Sequence, residues 1–190
     1  MARYGAEHKA ATRQRIIDTA GRRFKQDGID GSGIAVLMAD AGLTNGAFYA
    51  HFESKDDLVA TIVGEELRAQ YERLEALPPG REGLEAFVRF YLSPRHRDHP
   101  ETGCPSAALL DEIARSGEAT KRAYTAGARD IVGLIASRLE PGNPKAGRPR
   151  ALALYTMLVG SLQLSRAASE KAFSNEVLKQ GVQNALIFLG

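Results

Sequence analysis

The chain has 190 residues, of which 44% are hydrophobic and 25% charged, with a net charge of +2 and one cysteine. That length holds one compact body, or a small module joined to a larger one, with an ordinary core and an ordinary polar surface. No apolar run approaches the ~20 residues needed to span a bilayer, residues 1–15 lack the apolar stretch of a secretory signal, and a lone cysteine excludes an internal disulfide, so a cytoplasmic protein is expected.

Strand signals are absent, and apolar residues recur at helical spacing along nearly the whole chain. The pattern predicts an all-α protein of about nine helices. The first covers residues 9–26, with Ile16, Ile17, Ala20 and Phe24 on one stripe and Gly28 as its stop. Short helices follow at 34–40 and 44–52. A longer one starts at Ser54, where Ser54-Lys55-Asp56-Asp57 resembles a capping box, and runs to about residue 76. Leu77-Pro78-Pro79-Gly80 marks a loop. Further helices are expected at 82–92, 105–115, 118–139, 150–171 and 175–188. Irregular segments are expected at 93–103 and at 141–149, the latter rich in Pro and Gly.

Charge is distributed unevenly. Residues 1–26 carry Arg3, Lys9, Arg13, Arg15, Arg22, Arg23 and Lys25 against Glu7 and Asp18, a local excess of five positive charges. A basic arm and basic helix are the usual electrostatic footprint for phosphate, and equally a solvated helix face.

The segment 34–55 carries more information than any other. Gly42 permits the positive φ of a tight turn between two helices, and Thr44 stands where an N-cap hydroxyl can meet an orphan amide. Phe48 and Phe52, four apart, share a face that anchors the second helix to the core. Gly46, Ala47 and Ala50 lie opposite, small enough to let the helix approach base edges, with Asn45 placed to bond one. Tyr49 and His51 flank that face, as phosphate donors or as rim residues closing a small core. Ser32, in a glycine-rich approach, either caps the helix that follows or touches phosphate.

These residues resemble the N-terminal domain of the TetR (tetracycline-repressor-like) family of transcriptional regulators. The resemblance rests on Ile34, Leu37, Ala41-Gly42-Leu43-Thr44, Gly46, Tyr49, His51-Phe52, Lys55 and Leu58 at the spacing of that family, and covers roughly residues 10–58. It implies a three-helix helix-turn-helix domain over residues 1–53. A helical ligand-binding and dimerisation bundle would then occupy residues 54–190. It also implies DNA contacts from Arg13, Ser32, Thr44, Asn45, Gly46, Ala47, Tyr49, His51 and Lys55, with Lys55 pairing to phosphate. Leu37-Met38 replaces the commoner Ile-Ala, and Asn45 stands where Lys or Arg is frequent, so phosphate anchoring shifts toward Lys55 and the N-terminus.

In the larger half, residues 151–162 are apolar nearly all round, which suits either the centre of a bundle or a dimer interface. The resemblance favours a twofold homodimer through the last two helices, presenting two recognition helices to a near-palindromic operator and responding to a small-molecule effector. Candidate effector contacts are Phe87, Phe90, Tyr91, Cys104, Leu109, Ile113, Tyr124 and Met157. Cys104 precedes Pro105 at a helix start, near His96, Arg97 and His99. It reads either as a small buried hydrophobe or as an activated thiol that senses oxidants or electrophiles. No phosphate loop, dinucleotide motif, nucleophile elbow or metal-ligand spacing is present, and the adjacent Asp111 and Glu112 point about 100° apart on a helix. No enzyme activity, cofactor or metal is therefore expected.

Overall fold

The computed structural model describes residues 2–190, with side chains from Glu7 onward, so Arg3 lies outside the described side chains. The described residues form nine α-helices and two 3-10 segments, with no strand. The α-helices are α1 (Ala2–Asp27), α2 (Ile34–Asp40), α3 (Lys55–Glu75), α4 (Gly80–Tyr91), α5 (Pro94–Asp98), α6 (Pro105–Arg115), α7 (Glu118–Leu139), α8 (Pro144–Ala167) and α9 (Lys171–Leu189). The 3-10 segments are Asn45–Ala50 and Pro100–Thr102.

Helix α3 is the spine. Its buried residues Leu58, Ile62, Leu67 and Leu74 recur at helical spacing, and it packs on α1 at one end and along α7 for much of its length. The approach to α7 is close because Gly127 faces Leu67: a Cβ on Gly127 would lie 2.6 Å from the Leu67 Cβ. Ser54 caps α3 as expected, its hydroxyl accepting from the Asp57 amide at 3.1 Å. At the far end Arg138 of α7 donates to the carbonyls of Leu74, Glu75, Leu77 and Pro78, satisfying the last turn of α3 and the following loop.

Several boundaries differ from the sequence pattern, beginning with α1, which starts at Ala2 and not at residue 9. Residues 94–98 form a short helix, begun by Pro94 and capped by the Ser93 hydroxyl accepting from His96 N at 3.1 Å. Helix α8 starts at Pro144, not residue 150. Asn143 caps it, and Pro149 sits inside it, because the missing proline amide leaves only the carbonyl of exposed Lys145 unpaired, where water can serve it. The last helix likewise begins at Lys171, four residues early.

Helices α8 and α9 pack on each other, with Gly181 of α9 against Leu92 and Ser161. Helix α8 buries only one side, through Ala151, Leu154, Tyr155, Leu158 and Leu162. Its other side leaves Leu152 and Leu164 exposed, and α9 exposes Phe173 and Ile187. No helix among the described residues is long and apolar enough to cross a membrane.

Candidate functional site

Helix α2 closes through Gly42, at φ +66°. The Gly42 amide reaches Ala39 O at 2.9 Å and the Leu43 amide reaches Met38 O at 2.8 Å, a paired C-terminal cap that only a residue tolerant of positive φ allows. The chain then turns into Asn45–Ala50, which winds as a 3-10 helix instead of the expected α-helix. Thr44 occupies the N-cap position but its side chain caps nothing, and with Gly46 in second place the segment keeps the tighter Ala47-to-Thr44 and His51-to-Phe48 bonds.

Phe48 and Phe52 are buried with ring centroids 5.7 Å apart, and they seat this helix on the core. Thr44, Asn45, Gly46, Tyr49 and Ala50 face outward, and Ala47 is half-buried. Tyr49 is 67% exposed, its ring held edge-on to Phe48 at 5.2 Å. A Cβ at Gly46 would meet nothing within 4 Å, so the surface there is open. His51 is half-buried with its Nδ1 inside and unpartnered. Burial first, then the charges of Lys9 and Arg13, holds its pKa below the ordinary value.

Three candidate contacts are engaged by other parts of the chain. Ser32 is fully buried, its hydroxyl donating to Gly28 O at 3.2 Å, and it neither caps α2 nor reaches the surface. The Lys55 ammonium donates to Ile29 O at 2.5 Å and lies over the Phe24 ring, so it ties the loop before α2 to the start of α3. Arg13 stacks over Phe52 at 4.8 Å and pairs with Glu65 at 3.5 Å. The basic excess is partly internal in the same way. Arg23 pairs with Asp27, and Lys25, 6% exposed, pairs with Glu66 at 2.7 Å. Lys9, Arg15 and Arg22 remain exposed, with no ion pair among the described residues.

A second site lies between α3, α4 and the segment leading to α6. A cavity of about 300 Å³ is lined by Gln70, Arg73, Leu74, Leu77, Phe87, Phe90, Tyr91, His96, Thr102, Gly103 and Cys104. Phe87, Phe90, Tyr91 and Cys104 of the expected contacts are in its wall. Leu109 and Ile113 are not, because their side of α6 is buried in the core; Tyr124 and Met157 pack half-buried against that core. The residues missed are Gln70, Arg73 and Leu74 of α3, Leu77 just after it, and His96, Thr102 and Gly103 before α6. Gln70 was detectable: it falls in phase with Val63, Leu67 and Leu74 on the buried stripe, a polar group at a core position.

His96 organises the cavity floor. Tyr91 O can only accept and the Cys104 amide can only donate, so Nδ1–H bonds Tyr91 O at 2.8 Å and Nε2 receives Cys104 N–H at 3.0 Å. This is the neutral imidazole, and burial lowers its pKa to about 4 against the supporting bond from Tyr91. The groups that would activate the Cys104 thiol, in the second of its two readings, are engaged elsewhere. His96 is neutral and bonds its backbone, Arg97 turns to Asp98, Ser174 and Asn175, and His99 is exposed beside Glu101. The thiol itself is buried, 3.9 Å from the Tyr155 hydroxyl.

The two sites touch. Helix α1 rests on Pro100–Thr102, and Lys25 of α1 bonds both Glu66 of α3 and Gly103 O in the cavity wall. Glu112 of α6 also accepts from the Ile29 amide, beside α2.

Residues 16–62 match the sequence model of the bacterial regulatory proteins of the tetR family. That segment is a TetR-family N-terminal domain. The transcriptional repressor NemR of Escherichia coli K12 is 26% identical over 162 residues, covering 79% of this chain and 81% of NemR. The reduced form of E. coli NemR superposes with a TM-score of 0.79 at 22% identity, covering 92% and 95% of the two chains. The regulator FadR of Bacillus subtilis, solved in complex with stearoyl-CoA, superposes at 0.65 with 18% identity, covering 89% and 97%. The fold is therefore that of TetR-family regulators from end to end: an N-terminal helix-turn-helix and a C-terminal helical body.

Proposed function

We propose that the chain is a cytoplasmic, ligand-responsive transcriptional repressor without enzymatic activity. It binds a near-palindromic operator as a homodimer and is released by a small-molecule effector. Residues 1–53 form the DNA-binding unit and residues 54–190 the ligand-binding and dimerisation unit. The observation that carries the reading is the outward face of the Asn45–Ala50 helix, open at Gly46 and seated from behind by two buried phenylalanines. Asn45 meets a base edge, Thr44, Tyr49 and His51 meet phosphate, and Lys9, Arg15 and Arg22 supply the sequence-independent attraction. Exposed Leu152, Leu164, Phe173 and Ile187 support α8 and α9 as the face that pairs with a second copy.

Release needs only an effector that binds better to a conformer with mis-spaced recognition helices. Lys25 supplies a route, because displacement of Gly103 or of the Glu66–Gln70 face of α3 disturbs the seat of α1. Gel-shift titration against the DNA upstream of its own gene, at rising salt, tests the reading. A specific complex whose affinity falls steeply with salt is expected; no specific complex, or a flat salt response, refutes it.

The position of Cys104 in the cavity wall favours one variant of this reading, in which the effector is an oxidant or electrophile captured by the thiol. Oxidant would then release wild-type protein from DNA and spare Cys104→Ser, and equal responses reject the variant.

A further inference from the structure

The cavity's polar groups narrow what it takes, given the reading of it as the effector site. Gln70 is 4% exposed and neither atom of its amide has a hydrogen-bond partner; the Tyr91 hydroxyl, on a residue 1% exposed, has none either. Leaving such a group unpaired costs roughly 1–3 kcal/mol, so a ligand that pairs it gains that back on binding. His96 cannot compete for this role, since both its nitrogens are engaged. Leu74, Leu77, Phe87 and Phe90 make the walls apolar, with two aromatic rings among them. Arg73 is the one charged residue of the lining. It is exposed, has no ion pair among the described residues, and its charge bears on both Glu66 and His96, which places it at the mouth over the floor.

We propose that the effector is a small planar carboxylate whose acid group pairs with Arg73 at the mouth and whose far-end hydroxyl or carbonyl bonds Gln70 and Tyr91. Size follows from the volume: about 300 Å³ is the share of roughly ten waters in the liquid, so the ligand has about ten non-hydrogen atoms. Planarity follows from the two aromatic rings in the walls. A cation is repelled by Arg73, the one charged residue of the lining. A purely apolar ligand leaves Gln70 and Tyr91 unpaired, and a site that hydrogen-bonds its ligand discriminates strongly against analogues lacking the group.

Isothermal titration of the full chain with para-hydroxybenzoate and the longer para-hydroxycinnamate tests the assignment, with para-hydroxybenzyl alcohol and benzoate as controls. At least one of the two hydroxy acids binds saturably, and for para-hydroxybenzoate each control is weaker by about tenfold or more, the equivalent of ~1.4 kcal/mol. Arg73→Gln abolishes the preference for acid over alcohol, and Gln70→Leu reduces the preference for hydroxybenzoate over benzoate, the Tyr91 hydroxyl keeping its share. Melting curves of the free variants confirm that both are folded. No saturable binding of either hydroxy acid in the millimolar range, equal binding of the neutral alcohol, or unchanged selectivity in the variants overturns the proposal. The gel shift without ligand separates the two readings. If a specific DNA complex forms and both acids fail, the ligand class falls alone; if the acids bind with the stated selectivity and no DNA is shifted, the regulator falls alone.

Discussion

His96 makes the stability of the C-terminal helical body sensitive to mild acid. In the folded chain its imidazole is neutral, with Nδ1–H given to Tyr91 O and Nε2 accepting the Cys104 amide, and a second proton would break the latter bond. Burial, with the nearby charges of Arg166 from α8, Arg73 from α3 and Lys25 from α1, lowers the pKa from 6.5 to about 4. The folded state therefore binds fewer protons than the unfolded chain between these values. Stability from this group is whole above pH 6.5 and is lost as pH falls toward 4. At pH 5 the unfolded histidine is almost fully protonated and the folded one is protonated in about a tenth of molecules, so the loss is about 2 kcal/mol, rising to about 3 kcal/mol below pH 4. Urea unfolding at pH 7 and pH 5, at fixed ionic strength and protein concentration, measures it. His51 has the same sign and Glu66, raised by burial, the opposite one, so the wild type is compared with His96→Gln, in which those groups are retained. The variant starts less stable at pH 7 but loses about 2 kcal/mol less on acidification. The same pH 7-to-5 loss in both proteins would refute the neutral, doubly bonded imidazole.

Replacing Lys55 by Met lowers stability by about 1 kcal/mol through the lost bond to Ile29 O, whereas Tyr49→Ala leaves the melting temperature unchanged and weakens DNA binding to all sequences alike; a Lys55→Met protein with unaltered stability would return Lys55 to the DNA face. Gly127→Ala forces α3 and α7 apart at Leu67 and costs about 1–3 kcal/mol, while Gly133→Ala on the same helix, where a Cβ meets nothing, is neutral or stabilising; thermal melts separate the two. Arg138→Ala strips the carbonyls at the end of α3 of their donor, with a loss of about 1–3 kcal/mol and faster proteolysis at residues 77–80.

The helix-turn-helix was legible because its instructions are local. Gly42 sets a positive φ, Phe48 and Phe52 set a buried face, and neither depends on distant residues. The cavity was half legible. Phe87, Phe90 and Tyr91 followed from apolar spacing on one helix, but Leu109 and Ile113 carry the same signature and are plain core. Periodicity identifies a buried face without saying whether a void lies against it. At Pro144–Pro149, composition pointed to a loop and misled: the Asn143 cap and an N1 proline start a helix whose second proline falls where its missing amide is harmless.

From sequence alone come the all-helical class, the helix-turn-helix with its outward Asn45 and Tyr49, and that domain's family. These rest on backbone propensities and on periodicities within a few turns of chain. Tertiary structure alone decided which charges are available and where the cavity lies. Lys25, Lys55 and Arg13 count toward a basic N-terminus in any composition, yet Glu66, Ile29 O and Glu65 claim them from other parts of the chain. Gln70 becomes a cavity-lining group only because α4 and the segment before α6 meet α3 there. A charge or a polar side chain is written in the sequence, but its partner is found only when distant segments meet.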